Sequence, residues 1–334
     1  MRNLAATYRP TRLDDVVGQE QAKQVLRVHL KTKPKSGYLF VGSAGTGKTT
    51  CARIFAHELN HSKTNVVEIN AADTNGVDSV RQIIEDAKKK PIGTPYRIFI
   101  LDECHMFTIQ AWNALLKLIE EPPASVVILM CTTDPRKIPN TITSRVIRLD
   151  FSRIDADLIQ NRLEWVLQQE GYTDYDRDAL KYLAQLANGG MRDALSMLDK
   201  VVSYDAGVNL QVVNQALGLI GFEDSFSLLD AIFKKDPEGI IAVLSKLNAQ
   251  GIDFKVCIQD FRRFVLDAVK ASLHVNPSLI PMPEDEIKKF QLYPQDQRLF
   301  RILARVNELV PKTMYDSDPY TLVTSEFLRL VGEL

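Results

Sequence analysis

The sequence has few cysteines, no long apolar run and no excess of charge of either sign. Its 334 residues include four cysteines that lie far apart, and none forms a C-x-x-C pair, so neither a disulfide framework nor a zinc site is indicated. No apolar stretch reaches the ~18 residues of a membrane-spanning helix, and Met1–Tyr8 lacks the apolar core of a signal peptide. The formal net charge of −1 confines any nucleic-acid site to a local patch. These absences predict a soluble, cytoplasmic protein with reduced thiols and no membrane contact.

Short β-rich runs alternate with amphipathic segments up to about residue 150. The runs are nearly continuous in apolar residues, which is typical of strands covered on both faces in a parallel sheet. The alternation predicts an α/β fold with a doubly wound, five-stranded parallel sheet. The predicted strands are residues 37–41, 65–69, 97–101, 125–131 and 145–149, and the predicted helices between them are Thr49–Asn60, Val77–Lys90 and Ile109–Glu120.

Strand patterns stop after Phe151, and the rest of the chain is helical in character. Three helices are predicted over Asp155–Glu170, Asp176–Ala187 and Met191–Tyr204, with Gly189-Gly190 separating the last two. Helical patterns then continue to the end, apart from one long loop marked by Pro277, Pro281 and Pro283. We therefore expect three modules: an α/β domain at 1–152, a small helical domain at 153–206 and a larger helical domain at 207–334.

A phosphate-binding loop is indicated directly after the first predicted strand. The residues GSAGTGKT (42–49) match G-x-x-x-x-G-K-[ST] and open a predicted helix, which is the context that the motif requires. Its glycines let backbone N–H groups surround phosphates, while Lys48 would reach the β- and γ-phosphates and the Thr49 hydroxyl would bind Mg²⁺. The alternative is a glycine-rich turn that only caps a helix. The predicted nucleotide-binding residues are Gly42, Ser43, Ala44, Gly45, Thr46, Gly47, Lys48, Thr49 and Thr50.

An acidic pair ends the third predicted strand. In LDECHMF (101–107), Asp102 would hold Mg²⁺ and Glu103 would polarise the attacking water. A solvated acidic turn is the alternative, but two carboxylates at the end of a buried strand are costly without a cation. His105 is interpreted as a supporting or helix-start residue, and Cys104 as a small core residue.

The tetrapeptide Asp102-Glu103-Cys104-His105 spells the DExH box of many helicases, but those enzymes carry a second RecA-like domain and this chain has one α/β module. Other motifs accompany the box: YRP (8–10), VVGQE (16–20), NALLKLIEEPP (113–123), TTDPRKIPNTITSR (132–145) and GMRDAL (190–195). Together they resemble the AAA+ ATPases and, within them, the clamp-loader ATPase subunits, most of all the gamma/tau subunits of bacterial DNA polymerase III. NAAD (70–73) and GVDSVR (76–81) are more similar to replication factor C small subunits.

The resemblance implies roles for residues that match the family motifs. Thr132 and Thr133 would form the sensor that detects the γ-phosphate, and Arg192 would be the lid arginine that contacts phosphate in the same subunit. Arg145 would be an arginine finger that reaches the ATP site of a neighbouring subunit. Arg9 and Val17 are similar to the residues around the adenine and ribose. Taken alone, each arginine could instead form a surface salt bridge.

The sequence departs from the gamma/tau pattern in several places. Residues 57–65 bridge the region in which those subunits carry a zinc-binding cysteine module, so no zinc is expected. Val146 replaces a motif cysteine beside Arg145, and Trp112 stands where replication factor C subunits often carry a glutamine that couples DNA binding to the ATP site. The chain also ends at Leu334, so we expect no tau-type extension.

A DNA contact is predicted at the start of the helix that lines DNA in relatives. Arg81 is the expected phosphate contact, together with the backbone of Asn75 and Gly76, although relatives often carry basic residues at the last two positions. Arg81 could instead pair with Asp78 or Glu85 on its own helix.

These features predict an ATPase subunit of a sliding-clamp loader that uses ATP and Mg²⁺. Its expected partners are a ring-shaped clamp, primed DNA bound without sequence preference, and other loader subunits in a pentameric spiral. The module at 207–334 would form a collar joining the subunits, or it is a self-contained bundle. The alternatives are another AAA+ nucleic-acid motor, such as a branch-migration helicase, and a loader-type binding subunit that does not hydrolyse ATP.

Overall fold

The computed structural model describes residues 3–205, 207–276, 280, 284–291 and 297–333. The chain divides into two units, Met1–Thr173 with Leu183–Asp199, and Asp174–Tyr182 with Lys200–Leu334. Two helices, α8 (Arg177–Leu186) and α9 (Met191–Tyr204), contribute residues to both units. The expected division into three modules stays a prediction.

A parallel sheet of five strands forms the centre of the first unit, as the sequence predicts. The strands follow the order β2-β3-β4-β1-β5, and each predicted strand is present within two residues of its expected bounds. Because the strands are parallel, their carboxyl ends meet at one edge, where β1, β3 and β4 are neighbours. The strands are Gly37–Gly42 (β1), Val66–Asn70 (β2), Arg97–Asp102 (β3), Val126–Thr132 (β4) and Ile147–Phe151 (β5).

Alternate side chains of the central strands β1, β3 and β4 enter two separate apolar cores. Leu39, Phe99 and Ile128 belong to the core on one face, whereas Tyr38, Ile98 and Val127 belong to the core on the other. This two-sided burial explains why the strands are nearly continuous in apolar residues. The helices of the first unit that precede α8 are Leu4–Thr7 (α1), Glu20–Lys31 (α2), Lys48–Asn60 (α3), Val77–Ala87 (α4), Ile109–Glu120 (α5), Asn140–Thr143 (α6) and Ala156–Glu170 (α7).

Four of these helices differ from the sequence predictions by more than one residue: α4 ends early, and α1, α2 and α6 were not predicted. Helix α4 ends at Ala87, three residues before the predicted end at Lys90, because Pro91 follows and the residue before a proline disfavours the helical conformation. Helix α2 is absent from the predictions. It buries Ala22, Lys23 and Leu26, and Val25 and Leu30 pack against the same core.

The described part of the second unit is helical, as expected. Its core is built largely of leucine, isoleucine and phenylalanine side chains, among them Phe261, Phe327 and Leu244. Pro277, Pro281 and Pro283, which mark the predicted loop, lie outside the described residues. The helices that follow α9 are Leu210–Leu217 (α10), Phe222–Lys234 (α11), Pro237–Ala249 (α12), Phe254–Ser272 (α13), Glu284–Gln291 (α14), Gln297–Tyr315 (α15) and Pro319–Glu333 (α16). Across the described ranges, no helix is both long enough and apolar enough to cross a membrane.

Candidate functional site

A pocket opens in the first unit where β1 and β3 end. Its lining includes the predicted loop from Ala44 to Thr50, the acidic pair Asp102 and Glu103, and Arg192 from α9. Arg9 and Val17, expected near a nucleotide base, also line it. The residues that sequence reasoning did not assign to the site are Ala5, Tyr8, Pro10, Val16, Arg53, Ile154, Arg162, Met191 and Leu195.

The loop between β1 and α3 has a backbone that requires glycine. Gly45 and Gly47 have φ angles of +73° and +100°, in the left-handed region that other residues rarely adopt. At Gly42, a Cβ atom would lie 2.3 Å from the carbonyl oxygen of Phe151, which belongs to the neighbouring strand. The loop therefore passes close to the sheet and directs the first N–H groups of α3 towards the pocket.

Lys48 is the first residue of α3, and its ammonium group is buried. Its Nζ donates a hydrogen bond to the carbonyl of Ser43 at 2.8 Å, and the residue is 5% exposed. Burial lowers the pKa of Lys48, while the nearby carboxylates of Glu103 and Asp102 act in the opposite direction. A buried cation held inside a loop of N–H groups suits an anionic ligand.

The Thr49 hydroxyl lies beside the carboxylate of Asp102. Thr49 Oγ1 donates to this carboxylate at 3.0 Å, and the N–H of Glu103 donates to Asp102 Oδ1 at 3.1 Å. Burial raises the pKa of Asp102, so a cation at this position would stabilise its charged form. Hydroxyl and carboxylate oxygens are the ligands that Mg²⁺ prefers, so Thr49 and Asp102 fit the predicted magnesium site.

Glu103 turns the chain at the end of β3. Its φ and ψ are +45° and +41°, a left-handed conformation that costs a residue with a side chain ~1–2 kcal/mol. Its carboxylate accepts a hydrogen bond from Thr133 Oγ1 at 3.0 Å, and His105 Nδ1 lies 3.3 Å from the same oxygen. Thr132, the last residue of β4, is fully buried, and its hydroxyl lies 3.2 Å from His105 Nδ1. The structure thus brings Glu103, Thr132 and Thr133 together.

The start of α9 contacts the phosphate-binding loop directly. The N–H of Met191 donates to the carbonyl of Gly45 at 3.0 Å, and a Cβ on Gly45 would lie 3.0 Å from the Cα of Gly190. Arg192 follows at once and lines the pocket. The two glycines therefore allow α9, the predicted lid helix, to approach the loop.

The opposite end of the pocket is formed by the N-terminal segment and α7. Tyr8 donates to Glu170 at 2.6 Å and packs edge-on against Trp165, while Arg162 donates to the carbonyl of Tyr8 at 3.2 Å. The Arg162 guanidinium also lies 4.1 Å from the centre of the Trp165 ring. These contacts hold Arg9 beside the pocket, where burial and the charges of Arg53 and Arg192 lower its pKa.

The pocket carries more positive than negative charge. Five basic side chains line it, against the two carboxylates of Asp102 and Glu103. Arg53 lies one helical turn beyond Thr49 and pairs with Glu68 at 2.8 Å. Its position four residues after Thr49 on the same helix is the sequence signal that could have identified Arg53 as a site residue. A polyanionic ligand with a bound cation would balance this arrangement. The basic side chains are Arg9, Lys48, Arg53, Arg162 and Arg192.

Two predicted functional arginines lie outside this pocket. Arg145 follows α6, pairs with Glu120 at 3.0 Å, and donates to the carbonyl of Thr141. Arg81 pairs with Asp78 at 3.0 Å and is 69% exposed, so the alternative pairing on its own helix is formed here. Gly76 is the N-cap residue of α4, and the carbonyl of Asn75 accepts a hydrogen bond from the N–H of Thr108.

Within the described ranges, no group of three or more His, Cys, Asp or Glu side chains is arranged to hold a metal ion. The expected absence of zinc stays a prediction. A magnesium site of the kind above uses one or two carboxylates and a phosphate ligand, so it does not require such a group.

Gln19 ties the loop to the end of β5. Its side-chain amide donates to the carbonyls of Ser152 at 2.7 Å and Thr46 at 3.3 Å, and it accepts from the N–H of Ser152 at 3.1 Å. The residue is buried and has a left-handed backbone. It thereby fixes the phosphate-binding loop against the segment that leads into α7.

Sequence families of bacterial replication subunits match most of the chain. The DNA polymerase III delta subunit family matches residues 59–155, and the ATPase lid domain of the DNA polymerase III clamp loader subunit matches residues 158–207. Domain III of the DNA polymerase III subunits gamma and tau matches residues 208–297.

Individual relatives agree with these families. The chain is 37% identical over 282 residues to DNA polymerase III subunit tau of Bacillus subtilis, covering 77% of this chain and 50% of the relative. It is 31% identical over 285 residues to the DNA polymerase III gamma subunit of Buchnera aphidicola subsp. Acyrthosiphon pisum, covering 78% of this chain and 79% of the relative. The match to tau of Escherichia coli covers 43% of that protein, so the chain spans half or less of these tau subunits.

Solved structures of Thermotoga maritima RuvB have the same fold. One of them aligns with a TM-score of 0.54 at 20% identity, covering 78% of this chain and 91% of RuvB. The parallel sheet, the loop before α3, the acidic pair after β3 and the lid helix define a P-loop protein of the AAA+ class. Within that class, the chain belongs to the gamma/tau family of DNA polymerase III clamp-loader subunits.

The contacts of Gln19 lead to a prediction about stability. We expect Gln19→Ala to lower the free energy of unfolding by ~1–3 kcal/mol, because it leaves polar groups of Thr46 and Ser152 without their partner. Gln24→Ala, at an exposed position of helix α2, which begins directly after Gln19, is the matched control and should change the free energy of unfolding by less than ~0.5 kcal/mol. Urea unfolding of the two variants measures the difference, and equal values would contradict the role of Gln19.

Proposed function

We propose that this chain is the ATPase subunit of a sliding-clamp loader in DNA replication. The observation that carries the proposal is the single pocket that joins Lys48, the acidic pair and Arg192 in the first unit. The gamma and tau names of its relatives, together with the match to a clamp-loader lid domain, support a loader over other ATPases. The cytoplasmic location expected from the sequence is part of this proposal, since it follows from a role in bacterial replication.

The residues of the pocket have chemistry that suits ATP hydrolysis. Backbone N–H groups from Ala44 to Thr49 and the Lys48 ammonium would bind the phosphates, and Arg192 would bring the lid helix to them. Mg²⁺, held by Thr49 and Asp102, would neutralise phosphate charge. Glu103 would accept a proton from the attacking water, and the Thr132 hydroxyl would orient the reacting phosphate. Arg9 and Val17 lie where they could contact the base and ribose.

Arg145 would complete the site of a neighbouring subunit. It does not line the pocket of its own chain, and its partner Glu120 is exposed to a similar extent, so the pair can exchange with another anion. In a pentameric spiral, such an arginine would reach the ATP bound next to it. A guanidinium supplied to a neighbour in this way is worth ~10³–10⁵ in rate in other NTPases.

The partners in this proposal are a ring-shaped clamp, primed DNA and other loader subunits. ATP binding would arrange the subunits to hold an open clamp, and hydrolysis would release the closed clamp on DNA. Residues 207–334 would form the collar. A branch-migration motor is not favoured, because RuvB shares only the fold at about 20% identity. A subunit that does not hydrolyse ATP is not favoured either, because the lysine, both carboxylates and the lid arginine share one pocket.

Two substitutions separate nucleotide binding from hydrolysis. Lys48→Ala should weaken ATP binding ~10- to 150-fold, because it removes a charge-assisted contact worth about 1.5–3 kcal/mol and no other lysine lines the described pocket. Glu103→Gln should keep the affinity and lower turnover at least ~10²-fold, because an amide cannot accept the proton. Calorimetry and steady-state ATPase assays with primed DNA measure the two effects.

The control for both is Glu58→Gln, which changes a carboxylate on α3 outside the pocket. It should behave as the unsubstituted protein. Normal ATP affinity in Lys48→Ala, or a normal rate in Glu103→Gln, would contradict the assigned role. A protein that binds no ATP and gains no ATPase activity with clamp and primed DNA would refute the proposed function.

Arg145→Ala should act on the neighbouring subunit. Its own ATP binding should stay intact while hydrolysis in the assembly falls ~10³-fold or more. Mixing it with Lys48→Ala subunits should restore activity, because each Lys48→Ala subunit offers an intact Arg145 to a neighbour that binds ATP. The matched control is Arg148→Ala, an exposed arginine paired with Asp150. The absence of recovery in assemblies shown to be mixed would exclude action on a neighbour.

Arg81 provides a test of the DNA contact. Its exposed pair with Asp78 is worth ~0–1 kcal/mol, so a phosphate can replace the carboxylate. Arg81→Ala should flatten the log–log salt dependence of primed-DNA binding by roughly one unit and reduce the DNA-stimulated ATPase, leaving basal hydrolysis unchanged. Asp78→Asn should preserve or strengthen DNA binding, because it frees the guanidinium. If Arg81→Ala keeps the salt slope, DNA binds elsewhere, and Lys88, Lys89 and Lys90 are the next residues to test.

A further inference from the structure

The proposed function leaves two residues of the DExH tetrapeptide without a role, namely Cys104, which is a buried core residue, and His105. His105 lies in the 3-10 turn Cys104–Met106 that follows β3, and its side chain is 12% exposed. The left-handed backbone of Glu103 turns the chain at this point. As a result, the imidazole lies beside the end of β4 rather than continuing along the direction of β3.

One ring nitrogen of His105 is shared by two groups of the site. Nδ1 lies 3.3 Å from Glu103 Oε2 and 3.2 Å from Thr132 Oγ1. The same carboxylate oxygen accepts from Thr133, and the same Thr132 oxygen accepts from the N–H of Asp134 at 3.1 Å. The imidazole is therefore the direct link between the residue that would activate water and the residue that would orient the phosphate.

The position of the imidazole proton decides what this link does. With the proton on Nδ1, the ring donates towards both Glu103 Oε2 and Thr132 Oγ1, and the threonine keeps its own proton to donate elsewhere. With the proton on Nε2, Nδ1 can only accept. Nδ1 then accepts a hydrogen bond from the Thr132 hydroxyl, and its lone pair faces the Glu103 carboxylate. The form with the proton on Nδ1 gives the imidazole, the Glu103 carboxylate and the Thr132 hydroxyl compatible hydrogen-bond partners.

We propose that His105 is a positioning residue that orients the Glu103 carboxylate and leaves the Thr132 hydroxyl proton available to a phosphate oxygen. It does not contact ATP, and it acts through these two side chains. The proposal rests on the proposed ATPase function. A role limited to filling space in the turn would require the shape of the ring but neither of its nitrogens.

Three substitutions distinguish positioning from space filling. His105→Phe keeps the ring and removes both nitrogens. His105→Asn places an amide nitrogen near Nδ1, where its two N–H groups can donate to Glu103 and Thr132, whereas His105→Gln places the amide near Nε2. We expect kcat of His105→Phe to fall ~10- to 100-fold, because small displacements of reacting groups have effects of that size. Its ATP dissociation constant should change by no more than ~3-fold, because the pocket lining is intact.

The comparison of asparagine with glutamine decides the question even if His105→Phe folds poorly. His105→Asn should retain a kcat ~10-fold above that of His105→Gln, because only the asparagine amide reaches both partners. In a Glu103→Gln background, His105→Phe should lower the residual rate less than it does in the unsubstituted protein, since one of the two groups that it positions is already lost. Thermal unfolding and ATP affinity, measured in parallel, report on any structural effect.

Equal rates for His105→Asn and His105→Gln, or an unchanged kcat in His105→Phe, would overturn the assignment. A full additional loss of rate in the Glu103→Gln background would do the same. Failure of the proposed function gives a different result, because the unsubstituted protein would then show no ATPase activity with clamp and primed DNA.

Discussion

The ammonium group of Lys48 is buried where three parallel strands end together, and its charge needs anions nearby. The strand order β3-β4-β1 supplies these anions, because it brings the carboxylates of Asp102 and Glu103 to the same edge of the sheet as the loop after β1. Parallel pairing is what makes this possible, because consecutive strands then end at one edge rather than at alternating edges. Arg192, Arg9 and Val17 line the same pocket as this group of charges.

The lid contact extends this arrangement beyond the sheet. The backbone hydrogen bond from Met191 to Gly45 gives α9 a direct connection to the loop that would bind phosphate. Because glycine lies on both sides of this contact, the two backbones approach more closely than side chains would permit. A ligand that binds both the loop and Arg192 would favour one position of the lid helix, which is the physical basis on which ATP could control a larger assembly.

Hydrolysis in such a site would depend on side chains that contact no phosphate. Glu103 is oriented by Thr133 and His105, and Thr132 shares the imidazole with it. Gln19 holds the loop to the segment after β5 in a comparable way. Such supporting contacts keep reacting groups in position, and they connect parts of the chain that are far apart in sequence.

The sequence by itself determined the sheet and several of the residues that line the pocket. Continuous apolar runs fixed the five strands, and the spacing of GSAGTGKT and LDECHMF identified Lys48, Thr49, Asp102 and Glu103, because local geometry dictates these patterns. Tertiary structure alone decided the partners of Arg81 and Arg145, which had several candidates within reach. It also decided the contacts of Gln19 and His105. Those contacts form between residues brought together by strand order and by one left-handed turn, and no periodicity in a sequence records which distant side chains meet.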